Sequence, residues 1–119
     1  MKYKCILLIC FGIFIGSVSM NAQFSVEELA KAEVLDLDEK LVFMDPSTAL
    51  SEEQQKLIQQ LFTEKIAKAK KIRESIQDPT LRQSELDQLY KQTSDRLHNN
   101  ILSRRQREAK FDYQKLKNN

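Results

Sequence analysis

The chain has 119 residues, room for one domain, and carries 19 basic against 17 acidic side chains, a formal net charge of +2. Both cysteines, Cys5 and Cys10, and both glycines, Gly12 and Gly16, fall near the start. The rest of the chain has no residue specialised for positive φ at hairpin turns, which argues against an all-β fold and against Gly-rich phosphate loops.

Met1-Lys2-Tyr3-Lys4 is a basic head. An apolar run follows from Cys5 to Gly16, and small or polar residues take over from Ser17 to Ala22. This layout predicts a secretory signal peptide over residues 1–22, cut after Ala22 with Ser19 as second choice, and a helical domain over 23–119. The rival reading is an uncleaved anchor, but the apolar run is short beside the roughly 20 residues of a spanning helix. Cys10 is not read as a lipid attachment site, because Ile9 before it is not small. The expected location is the periplasm, with no stable membrane insertion after cleavage. The mature chain has no cysteine for the disulfide that compartment permits.

Without Lys2 and Lys4, 17 basic residues face 17 acidic ones. Residues 23–62 hold nine acidic and three basic side chains, and residues 63–119 hold eight and fourteen. That asymmetry suits head-to-tail self-association or a basic binding surface, and equally suits two solvated helix faces.

Four helical stretches are expected. The first opens at Ser25, where Ser25-Val26-Glu27-Glu28 is a capping box, and closes at Asp45-Pro46-Ser47; its apolar face, with Val26, Leu29 and Ala30, is weak. The second opens on another box, Ser51-Glu52-Glu53-Gln54. It places Leu57, Ile58, Leu61, Phe62, Ile66, Ala69, Ile72 and Ile76 at spacings of three and four, and stops before Asp78-Pro79. The third sets Leu86, Leu89, Tyr90, Thr93, Leu97 and Ile101 on one face. A break near Asn100 separates it from a fourth helix over about Ser103 to Leu116, with Ala109, Tyr113 and Leu116 in register. The apolar band of the second helix spans about 180°, against about 120° for the third, which is nearer the width of one packing interface. Lys65 lies inside that wide band, with Lys68 and Arg73 near its margins. Either two helices cover it or part of it stays open, and a chain this small is expected to dimerise.

No enzymatic chemistry is legible. Past the leader there is no Cys and a single histidine, His98, too few for a nucleophile–base pair or a zinc site. No metal or cofactor is expected. Arg104-Arg105-Gln106-Arg107 is a basic cluster, but a near-neutral exported chain lacks the strongly basic footprint of nucleic-acid binding.

Two segments belong together: Leu50-Ser51-Glu52-Glu53-Gln54 and Leu102-Ser103-Arg104-Arg105-Gln106, each a Leu-Ser-x-x-Gln pattern where a helix begins. With the leader and the long charged helix, the chain from about Ala49 to Leu116 resembles the LTxxQ-motif family, the Spy/CpxP group of periplasmic chaperones and envelope-stress proteins. The resemblance implies an all-α helical hairpin arrangement, typically an antiparallel homodimer shaped like a shallow cradle. It implies ATP-independent holding of unfolded or envelope proteins or, alternatively, CpxP-like docking on a membrane sensor. Here the second motif has Ser103-Arg104-Arg105 where the family often has Thr-Pro-Glu, placing positive charge against the helix dipole. Metal binding, known in some relatives, is disfavoured by the missing histidines.

A holding surface must be apolar and charged at once: apolar groups capture, and charge speeds capture and keeps it loose. The client-binding candidates are Ile58, Phe62, Lys65, Ile66, Lys68 and Arg73 on the second helix, and Arg104, Arg107 and Phe111 on the fourth. Lys65 is equally placed to snorkel from a core edge, and Phe111 to pack in a dimer interface.

Overall fold

The structure, a computed structural model, describes residues 25–118; the expected signal peptide lies outside them. The described chain is all-α: α1 (Val26–Met44), α2 (Glu52–Ser75), α3 (Pro79–Arg96) and α4 (Arg104–Asn118). A short 3-10 turn, Pro46–Thr48, links α1 to α2, and a π-helical turn, Leu97–Ile101, links α3 to α4.

The helices begin where the side chains can satisfy their first free amides. Ser25 and Glu28 form one capping box, and Ser51 and Gln54 form another. At α3, Asp78 accepts from the Thr80 amide and Pro79 occupies the first turn, where its missing N–H costs nothing. The break expected near Asn100 is the π turn. Its five-residue closure brings the Leu102 amide to the Leu97 carbonyl at 2.9 Å, after which Leu102 is extended and a new helix starts.

Three antiparallel contacts assemble the helices. Between α1 and α2, Glu33 meets Lys65; between α2 and α3, Glu64 meets Arg96 and the Arg73 guanidinium donates to the Tyr90 hydroxyl at 2.9 Å. Between α1 and α4, Asp45 meets Arg105, and the Phe43 and Tyr113 rings meet edge to face at 6.0 Å. The packing order is therefore α4–α1–α2–α3, with the π turn also resting on α2.

Two clusters form the interior. The larger joins Ala30, Val34, Leu37 and Leu41 of α1 with Ile58, Leu61 and Phe62 of α2, and is closed by Leu50, Leu97, Leu102 and Ala109. The smaller holds Ala69, Leu86 and Leu89 near the α2–α3 tip, with Ile72 packed on it. The wide face of α2 is thus divided: α1 covers its first half, and beyond it the tip rests on α3 alone.

Several expectations need correction. The weak apolar face expected of α1 on Val26, Leu29 and Ala30 is instead a regular stripe, Ala30–Val34–Leu37–Leu41, at spacings of four, three and four; Leu29 is exposed. Leu57, Tyr90 and Leu116, assigned to apolar faces, are exposed; Tyr90 lies at the edge of the α2–α3 contact, where its hydroxyl accepts from Arg73. α2 runs 24 residues, about 36 Å, slightly shorter than the stretch up to Asp78. The charge asymmetry is partly neutralised inside the chain, since Glu33–Lys65 and Asp45–Arg105 pair the acidic half with the basic one.

Ile58, with no exposed surface, should be far costlier to truncate than its neighbour Leu57, which is 45% exposed. Ile58→Ala should lose about 2–5 kcal/mol in urea unfolding, and Leu57→Ala should stay within about 0.5 kcal/mol. In hydrogen exchange, amides around Ala69 to Leu89 should open before those around Ile58 and Leu97, because the tip has the smaller core.

Candidate functional site: the twin glutamine clasp and the hairpin-tip groove

The two Leu-Ser-x-x-Gln segments meet face to face. Within each, the serine hydroxyl accepts from the glutamine amide N–H, at 3.1 Å for Ser51–Gln54 and 3.2 Å for Ser103–Gln106. Each glutamine Oε1 accepts in return from the serine backbone N–H, at 3.0 and 2.9 Å. The second segment is therefore a capping box as complete as the first, despite Arg104 and Arg105 in its first turn. Those two cations are drawn to carboxylates instead: Arg105 to Asp45 at 3.1 Å and Arg104 to Glu108 at 3.4 Å.

The two boxes are also bonded to each other. Gln54 Nε2 donates to Gln106 Oε1 at 2.8 Å, and Gln106 Nε2 donates to Gln54 Oε1 at 3.0 Å. The second proton of each amide goes to backbone on the opposite segment: Gln54 to the Ile101 carbonyl at 3.0 Å, and Gln106 to the Thr48 carbonyl at 3.2 Å. The pattern is pseudo-two-fold, and it uses both donors and both acceptor sites of each primary amide. Amide orientation follows from the backbone. The Ser51 and Ser103 N–H groups can only donate, so both oxygens must face them.

Neighbouring residues hold the clasp in place. Gln106 is 5% exposed, and Leu50 and Leu102 point into the main core. The Leu50 amide donates to Asp38 of α1 at 2.7 Å, and the buried Thr48 hydroxyl donates to the Leu41 carbonyl at 2.9 Å. Arg107 donates to the His98 and Leu102 carbonyls, both at 3.0 Å, closing the π turn. His98 is partly buried beside this turn with Ser94 Oγ at 3.2 Å from its Nδ1; burial first, then the cations Lys110 and Arg107, hold its pKa below the usual imidazole value.

The structure divides the residues predicted for client binding. Ile58 and Phe62 are core side chains facing α1: Ile58 has no exposed surface, and Phe62 reaches solvent only slightly, at a crevice beside α1 and α4 and away from the rest of the α2 band. Lys65 is partly covered: its ammonium pairs with Glu33 and lies 4.5 Å from the centre of the Phe62 ring, the snorkelling arrangement. Ile66 packs on the edge of the main core. Arg107 is committed to backbone carbonyls, and Arg73 to Tyr90. Lys68, Arg104 and Phe111 are exposed, and Phe111, at 53%, carries the Lys115 ammonium 5.4 Å from its ring centre.

At the α2–α3 tip an open groove of about 320 Å³ is floored by Ile72, Ile76 and Leu89 and edged by Lys68, Lys71 and Glu85. Here an apolar floor and cations from the α2 band coincide, beyond the reach of α1. Ile72 and Ile76 were legible as part of the wide α2 band; Lys71 was missed because only the α3 partner defines the rim. Among the described residues, no three His, Cys, Asp or Glu side chains gather to hold a metal, and no helix is long and apolar enough to cross a membrane.

Comparison with known protein families, with curated proteins and with solved structures finds no match to this chain.

Replacing either clasp glutamine leaves the other amide short of partners in a covered site. Gln106→Leu should therefore destabilise by roughly 2 kcal/mol or more. The double variant Gln54→Leu/Gln106→Leu should lose less than the sum of the single losses, by about 1 kcal/mol, in a denaturation cycle. Simple additivity would show that the two amides do not depend on each other.

Proposed function

We propose that this protein is an exported, ATP-independent holding chaperone of the LTxxQ-motif type, binding unfolded envelope proteins in the periplasm. The observation that carries the reading is the hairpin-tip groove, whose apolar floor of Ile72, Ile76 and Leu89 is bordered by Lys68 and Lys71. An unfolded client offers apolar side chains and backbone carbonyls together. A shallow, open groove with cations on its rim can hold both without selecting one sequence.

Two further features support it. Both Leu-Ser-x-x-Gln segments form one mutually bonded unit, which gives the resemblance a physical basis: the repeated motif has a shared structural task. Other apolar side chains also remain uncovered and accessible to a partner, including Phe43 at 68% exposed, Leu35, Leu81 and Phe111. A homodimer covering part of that surface fits the same reading.

The purified protein should suppress aggregation of several chemically unfolded clients at near-stoichiometric amounts without nucleotide. Ile72→Asp or Ile76→Asp should weaken suppression severalfold, while circular dichroism stays helical. No suppression by the parent protein across the clients would defeat the proposal. Recovery of one defined membrane partner, with no general client binding, would point to a regulatory docking module instead.

A further inference from the structure

Between α1 and α4, beside Phe62 of α2 and Leu97 of the π turn, lies a second concavity of about 280 Å³, more enclosed than the tip groove. Its floor is apolar, formed by Leu37, Phe62 and Leu97, and its rim carries the ammonium groups of Lys40, Lys110 and Lys117. The two carboxylates that also border it are already engaged: Glu33 with Lys65, and Asp36 with Lys40 at 2.8 Å. Lys110 differs from its neighbours. It is partly buried, and among the described residues it donates no side-chain hydrogen bond and joins no ion pair. Burial, and then repulsion from Lys40, push its pKa below the ordinary lysine value. A cation is thus held where desolvation and a like charge both oppose it, beside a greasy floor, with its counter-charge missing.

We propose that this crevice is a binding site for a small amphipathic carboxylate, with the carboxylate against Lys110 and the apolar body on Leu37, Phe62 and Leu97. Each half of the ligand is required by an observation. A bare inorganic anion would satisfy Lys110 but leave the floor wet, and a neutral alkyl compound would cover the floor but leave Lys110 without an opposite charge. The space, about 280 Å³, is enough to seat a short alkyl chain or one apolar side chain. Two sources share this chemistry: a free short-chain acid, and the C-terminal carboxylate of a peptide ending in an apolar residue. The site is separate from the tip groove, so it stands or falls independently of the chaperone reading.

The test is an NMR titration of the isotope-labelled protein at pH 7 with four probes: hexanoate, N-acetyl-leucine as a peptide terminus, 1-hexanol and inorganic phosphate. At least one carboxylate should give saturable shifts confined to amides of residues 33–40 and 110–117 and those next to Phe62 and Leu97, and the pKa of Lys110 should rise when it binds. 1-Hexanol and phosphate should bind about tenfold more weakly or not at all. Stronger binding of hexanoate would assign the free acid as source, and stronger binding of N-acetyl-leucine the peptide terminus. Lys110→Gln should weaken binding about tenfold or more, and Lys117→Gln serves as a second variant should the first melt early; Lys71→Gln, in the tip groove, should leave it unchanged. Absence of saturable shifts with both carboxylates, equal binding of 1-hexanol, or full affinity in both lysine variants of the crevice would overturn the proposal.

Discussion

Two primary amides, those of Gln54 and Gln106, fix where α2 and α4 begin relative to each other. Each amide completes its own helix cap and the other's hydrogen-bond inventory in the same geometry. Such a pair tolerates little displacement, because a sliding helix start breaks bonds at both ends of the contact and leaves covered polar atoms without water. The surrounding core is made of apolar contacts, which are strong and non-directional. The clasp supplies the direction. It sets the Leu50 and Leu102 side chains into the main core and holds the α1–α2 turn against the π turn.

That constraint explains the uneven solidity of the molecule. Around the clasp, α1, α4 and the first half of α2 share one large cluster, with Thr48, Asp38 and Arg107 satisfying backbone groups that the turns would otherwise strand. Away from it, the apolar packing between α2 and α3 is a small cluster, Ala69, Leu86 and Leu89 with Ile72 packed on it. A stable base with a lightly packed, cation-edged tip would suit the proposed holding role, in which the base stays folded while the tip adapts.

The candidate site was legible in part. Periodicity placed Ile58, Phe62, Ile66, Ile72 and Ile76 on one broad band, and composition put Lys68 beside it. Periodicity cannot say which part of a band a neighbour covers. α1 sealed Ile58 and left Phe62 only at the floor of the Lys110 crevice, and the tip kept Ile72 and Ile76 within reach of solvent. Likewise Arg107 and Arg104 look alike in a basic run, yet Arg107 closes the π turn and Arg104 stays on the surface with Glu108. The Lys110 crevice had no sequence signal, because its lining comes from three different helices and the π turn.

By itself the sequence determined the all-helical class, the starts of the four helices and the break before Leu102. These depend on short-range chemistry: hydroxyls and carboxylates that cap amides a few positions away, prolines that cannot continue a helix, and the absence of glycine after Gly16. It also displayed the two Leu-Ser-x-x-Gln segments, which seen singly are only caps. Tertiary structure decided that the caps are partners across 52 positions, that acidic and basic halves meet within one chain, and which apolar residues are left uncovered. Those outcomes depend on which helix faces which, and that is a property of the packed set and of no single segment.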